Sequence, residues 1–491
     1  MAPSLVWPSR GRTVVARGRL VSVARENGPR TTGWHSLTYA TTPKVIGCDD
    51  GGTKDRLKRV SEDFTASLRG IPIQVTSNRE ADREGVVSGN SGTLLVSVAA
   101  GWFLALGLRF VLQAILPTIT ASFPATTETQ AGIAVTVLWA AYGVLQFPAG
   151  ITADRIGEGR VLTASLLLSA VSVLAFSVTP TYSLFVLAMG LFGAATGLYG
   201  PPRGTLLTRV FDERADRALG ATLAAGSLGA AVLPALAALL VEGLGWRTML
   251  GLTIPGFVVA ALLVYRSTHR LDSKPDEKRA DGGSSAAEDG PSVLSAIKIA
   301  GQSVCRYRTG LAVLAAIIMY FGYQGVTALA TTYLITEKGF AQSSAGVLFG
   351  GLFVVGALSQ WLAGRVAQRR RSARVLAAIA AVSVLPLVGL VVFEHRLLVA
   401  ASTLLIGVRM GFAPVSNAFI IDHLPADVEG TAWGAVRTAL FVVSSVASTV
   451  VGLLADIGLF DGAILLLAGL TGGAAGIYLA LPSCEFSRQP W

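Results

Sequence analysis

The sequence predicts an all-α polytopic membrane protein, with twelve transmembrane helices arranged as two six-helix halves. Three observations predict it. Of the 491 residues 52% are hydrophobic and only 14% charged, against about 25% charged in soluble domains, and the mean hydropathy is +0.59. Twelve apolar runs are each near the roughly 20 residues a helix needs to cross a bilayer. The longest break between runs, 267–309, divides them six and six.

Residues 1–90 are rich in Lys and Arg and contain no run long enough to span. No charged start followed by an apolar segment is present, so a signal peptide is not the reading. Three readings stay open: a basic, disordered cytoplasmic tail, a translation start further down near Val86 or Val87, or a small folded domain. The second arises because Met1 is the only methionine before Met189.

The spans fall at 93–116, 129–151, 160–179, 182–206, 217–242, 247–266, 310–335, 343–366, 373–393, 397–421, 430–456 and 460–481. The first half is 91–267 and the second 310–482, with a short tail at 483–491. Between the halves, 268–309 carries Lys274-Pro-Asp-Glu-Lys-Arg279 and a Gly/Ser/Ala-rich stretch, the composition of a solvated cytoplasmic linker.

Loop charge sets the orientation. Loops after even-numbered spans carry Arg155 and Arg160, then Arg209, Arg214 and Arg217, then Arg365, Arg369, Arg370, Arg371 and Arg374. Loops after odd-numbered spans carry little beyond Arg247, Lys338 and Arg396. The positive-inside rule then places both termini in the cytoplasm of a cell's plasma membrane. The halves also repeat. Gly150, Pro201, Gly220 and Gly245 are answered by Gly364, Pro414, Gly434 and Gly458, each about 214 residues on, the mark of a parallel duplication with its site between the copies.

The loop after the second span, Gly150-Ile-Thr-Ala-Asp154-Arg155-Ile-Gly157-Glu-Gly159-Arg160, cannot lie in hydrocarbon and must turn at a membrane surface. Gly150 leaves room for a neighbouring helix one turn before Asp154, and Gly157 and Gly159 end the helix. This run resembles the loop between helices 2 and 3 of the major facilitator superfamily, with Gly150, Asp154, Arg155, Gly157 and Arg160 matching. Thr152 stands in an apolar position of that pattern, and Glu158 with Gly159 shifts its tail. The second copy, Gly364-Arg365-Val-Ala-Gln368-Arg369, has Gln368 where the first has Asp154. Gly245-Trp246-Arg247 resembles the short turn before the sixth helix. The resemblance covers about 93–481 and implies a secondary transporter working by alternating access. It also implies that Gly150, Asp154, Arg155, Gly157 and Arg160 form a conformational latch, joined in the outward-open state by Arg203 pairing with Asp154; an interfacial anchor is the open alternative for Arg203.

Charged residues in mid-membrane cost about 2.5–3.5 kcal/mol on insertion scales and belong at a cavity or a partner. Arg109 in the first span and Arg409 in the tenth are the two deepest, with no acid at comparable depth. Guanidinium binds carboxylate or phosphate through two parallel hydrogen bonds, and a helix-1 Arg resembles organic-anion and phosphate-ester members of the superfamily. The alternative for each is pairing with backbone carbonyls or reaching to the interface. Gln113 lies one turn from Arg109. Trp139, Tyr142 and Gln146 share a helix face, which suits a substrate wall or plain packing. In the seventh span, Tyr320 and Gln324 flank Gly322, and that segment can bend as a gate. Asn417, just past Pro414, completes the candidates.

The substrate expected is a small organic anion, taken up or exchanged. Efflux of drugs or other hydrophobic compounds by proton antiport stays open, as does a transport-inactive sensor on the same fold. Gly226-Ser-Leu-Gly229 is only a faint echo of an antiporter motif. The spans exclude a soluble enzyme, and no enzyme activity is expected. No P-loop Gly-x-x-x-x-Gly-Lys-Ser/Thr is present. The net charge of +10 is spread over loops and the first ninety residues rather than a nucleic-acid face. Cys48, Cys305 and Cys484 are too scattered for a metal cluster or disulfide framework. No cofactor is expected, the chain is read as a monomer in the bilayer, and a coupling ion is left open.

Overall fold

The structure, a computed structural model, describes residues 89–272, 307–423 and 429–481. The terminal tails and the core of the linker fall outside the described residues. The helices are α1 (Gly89–Ala114, continued by Leu116–Ala121), α2 (Glu128–Ile156), α3 (Glu158–Val178), α4 (Tyr182–Gly197 and Gly200–Phe211), α5 (Ala215–Leu244) and α6 (Trp246–Gly251 and Ile254–Asp272). The second half has α7 (Tyr307–Thr336), α8 (Gln342–Ala367), α9 (Ser372–Val392), α10 (Arg396–Leu405 to Phe412–Ile421), α11 (Glu429–Asp456) and α12 (Phe460–Ala480). All twelve are long and apolar enough to cross a membrane, as the spans predict. Large side chains such as Leu187, Leu385 and Leu397 remain exposed on them, the outer surface expected of helices solvated by lipid.

Turns follow local chemistry. The Thr127 hydroxyl accepts the Gln130 N–H and the Gln130 amide accepts from Thr127 N–H, a reciprocal cap that starts α2. Gly157, with φ 92°, ends α2 in a conformation that L side chains rarely adopt.

Besides the short breaks in α1 and α6, three helices depart from the unbroken spans expected. The break in α4 falls at Leu198–Tyr199, just before Pro201 and Pro202, whose missing N–H groups suit the first turn of the restarted helix. In α7 the bend lies at Leu329 (φ −123°, ψ 17°) rather than at Gly322 or Gly325. The Thr327 carbonyl, two residues before the bend, accepts the Gln113 amide when that amide is turned, a side chain set against the ladder where kinks arise. The middle of α10, Ile406–Gly411, is a 3-10 segment. Ser359 of α8 donates to the Val408 carbonyl at 2.6 Å, and a Cβ on Gly407 would meet the Leu352 carbonyl of α8. Contact that close leaves no room for a standard turn.

Packing within the halves repeats. In the first, α1 packs on α5, α2 on α4 and α3 on α6. In the second, α7 packs on α11, α8 on α10 and α9 on α12, the same pattern displaced by six helices. The halves meet along two seams, α2 with α11 and α5 with α8. Small residues make both possible. A Cβ on Gly452 of α11 would strike the Glu128 carbonyl of α2, and one on Gly350 of α8 the Ala231 carbonyl of α5.

The two faces of the bundle differ. One carries the arginine-rich loops after even-numbered helices and is the basic face. On the other, sparse face the halves are tied together. Gln342 donates to the Ala114 carbonyl at 2.9 Å and Thr331 to the Gln113 carbonyl at 2.9 Å. The Asp456 carboxylate of α11 accepts the first N–H groups of α2, Glu128 at 2.8 Å and Thr129 at 2.9 Å. Going toward the basic face, the last hydrogen bond between halves among the described residues is Thr438 Oγ1 to the Gly143 carbonyl, 3.1 Å. Beyond it, Gly200–Phe211 of α4 and Phe412–Ile421 of α10 pack extensively only on their own halves. The bundle is closed on the sparse face and parted on the basic one.

Asp456 is a helix cap supplied by the opposite half, in solvent reach. Asp456→Ala is expected to remove about 1 kcal/mol from this closure, about a fivefold shift toward opening. The labelling rate of a Thr129→Cys reporter from the sparse side, in a background lacking Cys48, Cys305 and Cys484, measures it.

Candidate functional site

Between the halves lies a cavity of about 250 Å³, lined from α1, α2 and α5 on one side and α7, α8, α10 and α11 on the other. Half of its lining residues are aromatic. Its charged lining among the described residues is Arg109 and Arg437, with no Asp or Glu.

Arg109 is fully buried. Leu106, Arg109 and Phe110 share the face of α1 that begins at Trp102, spacing that follows from the helical repeat. Its Nε donates to the Ala105 carbonyl at 3.2 Å. The guanidinium lies 4.1 Å from the Tyr142 ring centre, 5.1 Å from Trp139 and 5.3 Å from Trp102. Ring faces attract a buried cation, but they fill no N–H, and Nη2 has no hydrogen-bond partner among the described residues. A buried donor left this way is an opening for an acceptor.

Trp139 is held in place. Its indole N–H donates to the Gln113 side chain at 3.0 Å when the amide is turned so that its nitrogen reaches the Thr327 carbonyl, also 3.0 Å. The ring stacks on Phe441 of α11, 6.0 Å between centres and 6° between planes. Gln113 thus positions a cavity wall without lining the cavity.

Tyr142 and Tyr320 line the cavity with Trp139 and Arg109, so these four candidates are brought together. The others are not. Gln146 is buried against α4, its amide 3.4 Å from the Gly197 carbonyl. Gln324 is fully buried off the cavity, with neither amide atom paired among the described residues. Asn417 stands behind Tyr320, whose hydroxyl reaches it at 3.5 Å. Arg409 points away from the lining, its Nη2 donating to the Met319 carbonyl at 3.1 Å and to Thr471 at 3.3 Å. A Cβ on Gly322 would collide with its guanidinium.

Sequence reasoning left Arg437 at the margin of the eleventh span. It sits two turns into α11, lines the cavity opposite Arg109, and has a buried Nε without a partner among the described residues. The Tyr142 hydroxyl lies within electrostatic reach of both guanidinium groups. Trp102, Phe412 and Phe441 were missed altogether. Stepping by three and four from Arg109 and Arg437 would have found Trp102 and Phe441.

The latch candidates lie on the basic face. Asp154, Arg155 and Arg160 are exposed, and nothing comes within 4 Å of a Cβ placed on Gly150. The neighbour that Gly150 was expected to admit is not against it here. Arg203 is buried in this state rather than anchored at an interface, donating to Thr222 at 2.9 Å and lying 4.4 Å from the Trp102 ring centre. Among the described residues the ion pair is Arg209 with Glu158, at 3.0 Å.

A family model described as Major Facilitator Superfamily matches residues 98–448. The chain belongs to that superfamily. Among superfamily structures it resembles a bacterial homologue of the human lysosomal transporter Spinster in an inward-facing, unoccupied conformation. That likeness has TM-score 0.65 and 12% identity, over 78% of this chain and 95% of that one. It also resembles a point mutant of the nucleoside transporter NupG, with TM-score 0.63 and 14% identity, over 79% and 99% of the two chains. In sequence it is 26% identical over 162 residues to a probable hexose phosphate transport protein of Chlamydia trachomatis, and equally to that of Chlamydia muridarum. These matches span 33% of this chain and 34% of the relatives' length.

Proposed function

We propose that this superfamily member is a secondary transporter that carries a small organic anion by alternating access. The observation that carries the reading is Arg109: a fully buried cation with an unfilled N–H, facing a cavity between two halves and not paired with any carboxylate among the described residues. The cavity, below the roughly 300–1,000 Å³ of drug-sized pockets, suits a small solute. The relatives named for hexose phosphate transport bear on a third of the chain and are consistent with an anionic cargo.

With the basic face taken as cytoplasmic by its arginines, the structure is the inward-open state. Outward opening would break the Asp456 cap and close the basic face. That closure would draw the Asp154 loop, with Arg155 and Arg160, against the second half, and Arg203 is placed to rearrange with it.

The aromatic lining also favours a second reading, movement of an uncharged hydrophobic solute. Proton antiport through the cavity finds no carboxylate among the described lining residues to carry the proton there. Counterflow in proteoliposomes separates the two. Preloaded unlabelled organic anions should drive uptake of labelled anion with no pH gradient. Resistance to uncharged compounds on overexpression, without anion counterflow, would overturn the anion reading.

A further inference from the structure

We infer that Arg437 is the second cationic arm of this site, and that the two arms with their aromatic box select a dianion bearing a flat aromatic ring over a sugar phosphate. The inference rests on the anion reading above and goes beyond it by naming the head and the body of the solute.

The head follows from charge. Arg109 enters from the first half and Arg437 from the second, with Tyr142 in reach of both. Each keeps a buried N–H with no partner among the described residues, and no lining carboxylate neutralises either. A single negative charge leaves one guanidinium uncompensated. A dianion such as a phosphate monoester satisfies both and offers enough oxygens to accept from each. Because the arms belong to different halves, such a head bridges the parts that must move.

The body follows from the wall. Trp139 stacked on Phe441, Phe110 4.3 Å from Phe353 between ring centres, and Tyr320 4.7 Å from Phe412 form a continuous aromatic enclosure. Apart from the tyrosine hydroxyls, the indoles and the arginines, its polar lining is Ser227 and Gln360. A hexose would lay several hydroxyl groups against aromatic faces, and each left without a partner there is penalised. A flat ring meets complementary faces.

The test is calorimetric titration of the purified full chain in detergent with four probes: phenyl phosphate, benzoate, glucose 6-phosphate and inorganic phosphate, near neutral pH. Phenyl phosphate is expected to bind about tenfold tighter than each of the others, since each lacks either the second charge or the aromatic ring. Arg437→Gln should bring phenyl phosphate down to the level of benzoate and weaken benzoate by a much smaller factor. Arg437→Lys, which keeps the charge, should retain a preference for phenyl phosphate. The inference is overturned if benzoate or glucose 6-phosphate matches phenyl phosphate, or if Arg437→Gln weakens benzoate equally, as a merely structural role would. Either result leaves the anion reading standing. If no probe binds, the anion reading fails as well. The wild-type comparison decides the matter even if neither variant folds.

Discussion

Arg109→Ala is expected to lower anion uptake into proteoliposomes at least about a hundredfold, the result of losing two charge-assisted hydrogen bonds worth about 1.5–3 kcal/mol each. The variant should still fold. The lost side chain is a buried charge that makes one hydrogen bond to its own helix and pairs with no carboxylate among the described residues, and removing an uncompensated charge does not destabilise as breaking a pair would. Its thermal midpoint is expected within a few degrees of the parent's. Arg109→Lys keeps the charge without the planar fork and should recover only part of the rate. Full uptake in Arg109→Ala, with the same apparent affinity, would remove the reason for reading the cargo as an anion.

Gly452→Leu is expected to abolish cycling by a different route. The new side chain would press on the Glu128 backbone at the first turn of α2, where the halves close on the sparse face. No rotamer relieves a Cβ clash with backbone, so the seam itself must part. Since the clash lies between halves, each can keep its own packing. Uptake should fall at least about tenfold, and Thr129→Cys should label faster from the sparse side than it does after Asp456→Ala. The ordering follows from the energies: an exposed cap contributes about 1 kcal/mol, whereas overpacking costs about 1–3 kcal/mol or more. Unchanged labelling in Gly452→Leu would show that this seam is not what holds the sparse face shut.

The twelve helices were readable because crossing a bilayer demands length and apolarity, and both are local properties. Arg109 stood out for the same reason, a charge inside an apolar run. Arg409 gave the same signal, yet in the structure it faces Met319 and Thr471 and not the cavity. What separates the two is rotation about the helix axis, which only the packing of halves fixes. Arg437, at the start of its span, was ambiguous in sequence between a site residue and an interfacial anchor. The aromatic box was harder to read: Trp102 and Phe441 are marked only by their helical spacing from Arg109 and Arg437, and Phe412 in an apolar helix looks like ordinary core. The Asp456 cap was equally hidden, since its partners lie 327 and 328 residues away in sequence.

The 3-10 segment of α10 has a geometric corollary. Winding at three residues per turn instead of 3.6 adds about 20° per residue, so the six residues Ile406–Gly411 rotate the remainder of the helix by about 120°. A helical wheel drawn straight through from Arg396 therefore mispoints everything past Gly411 by a third of a turn. Phe412 and Ala413 owe their view of the cavity to that phase offset, and a substitution that let Ile406–Gly411 relax to ordinary α-helical pitch would swivel both out of it without touching either.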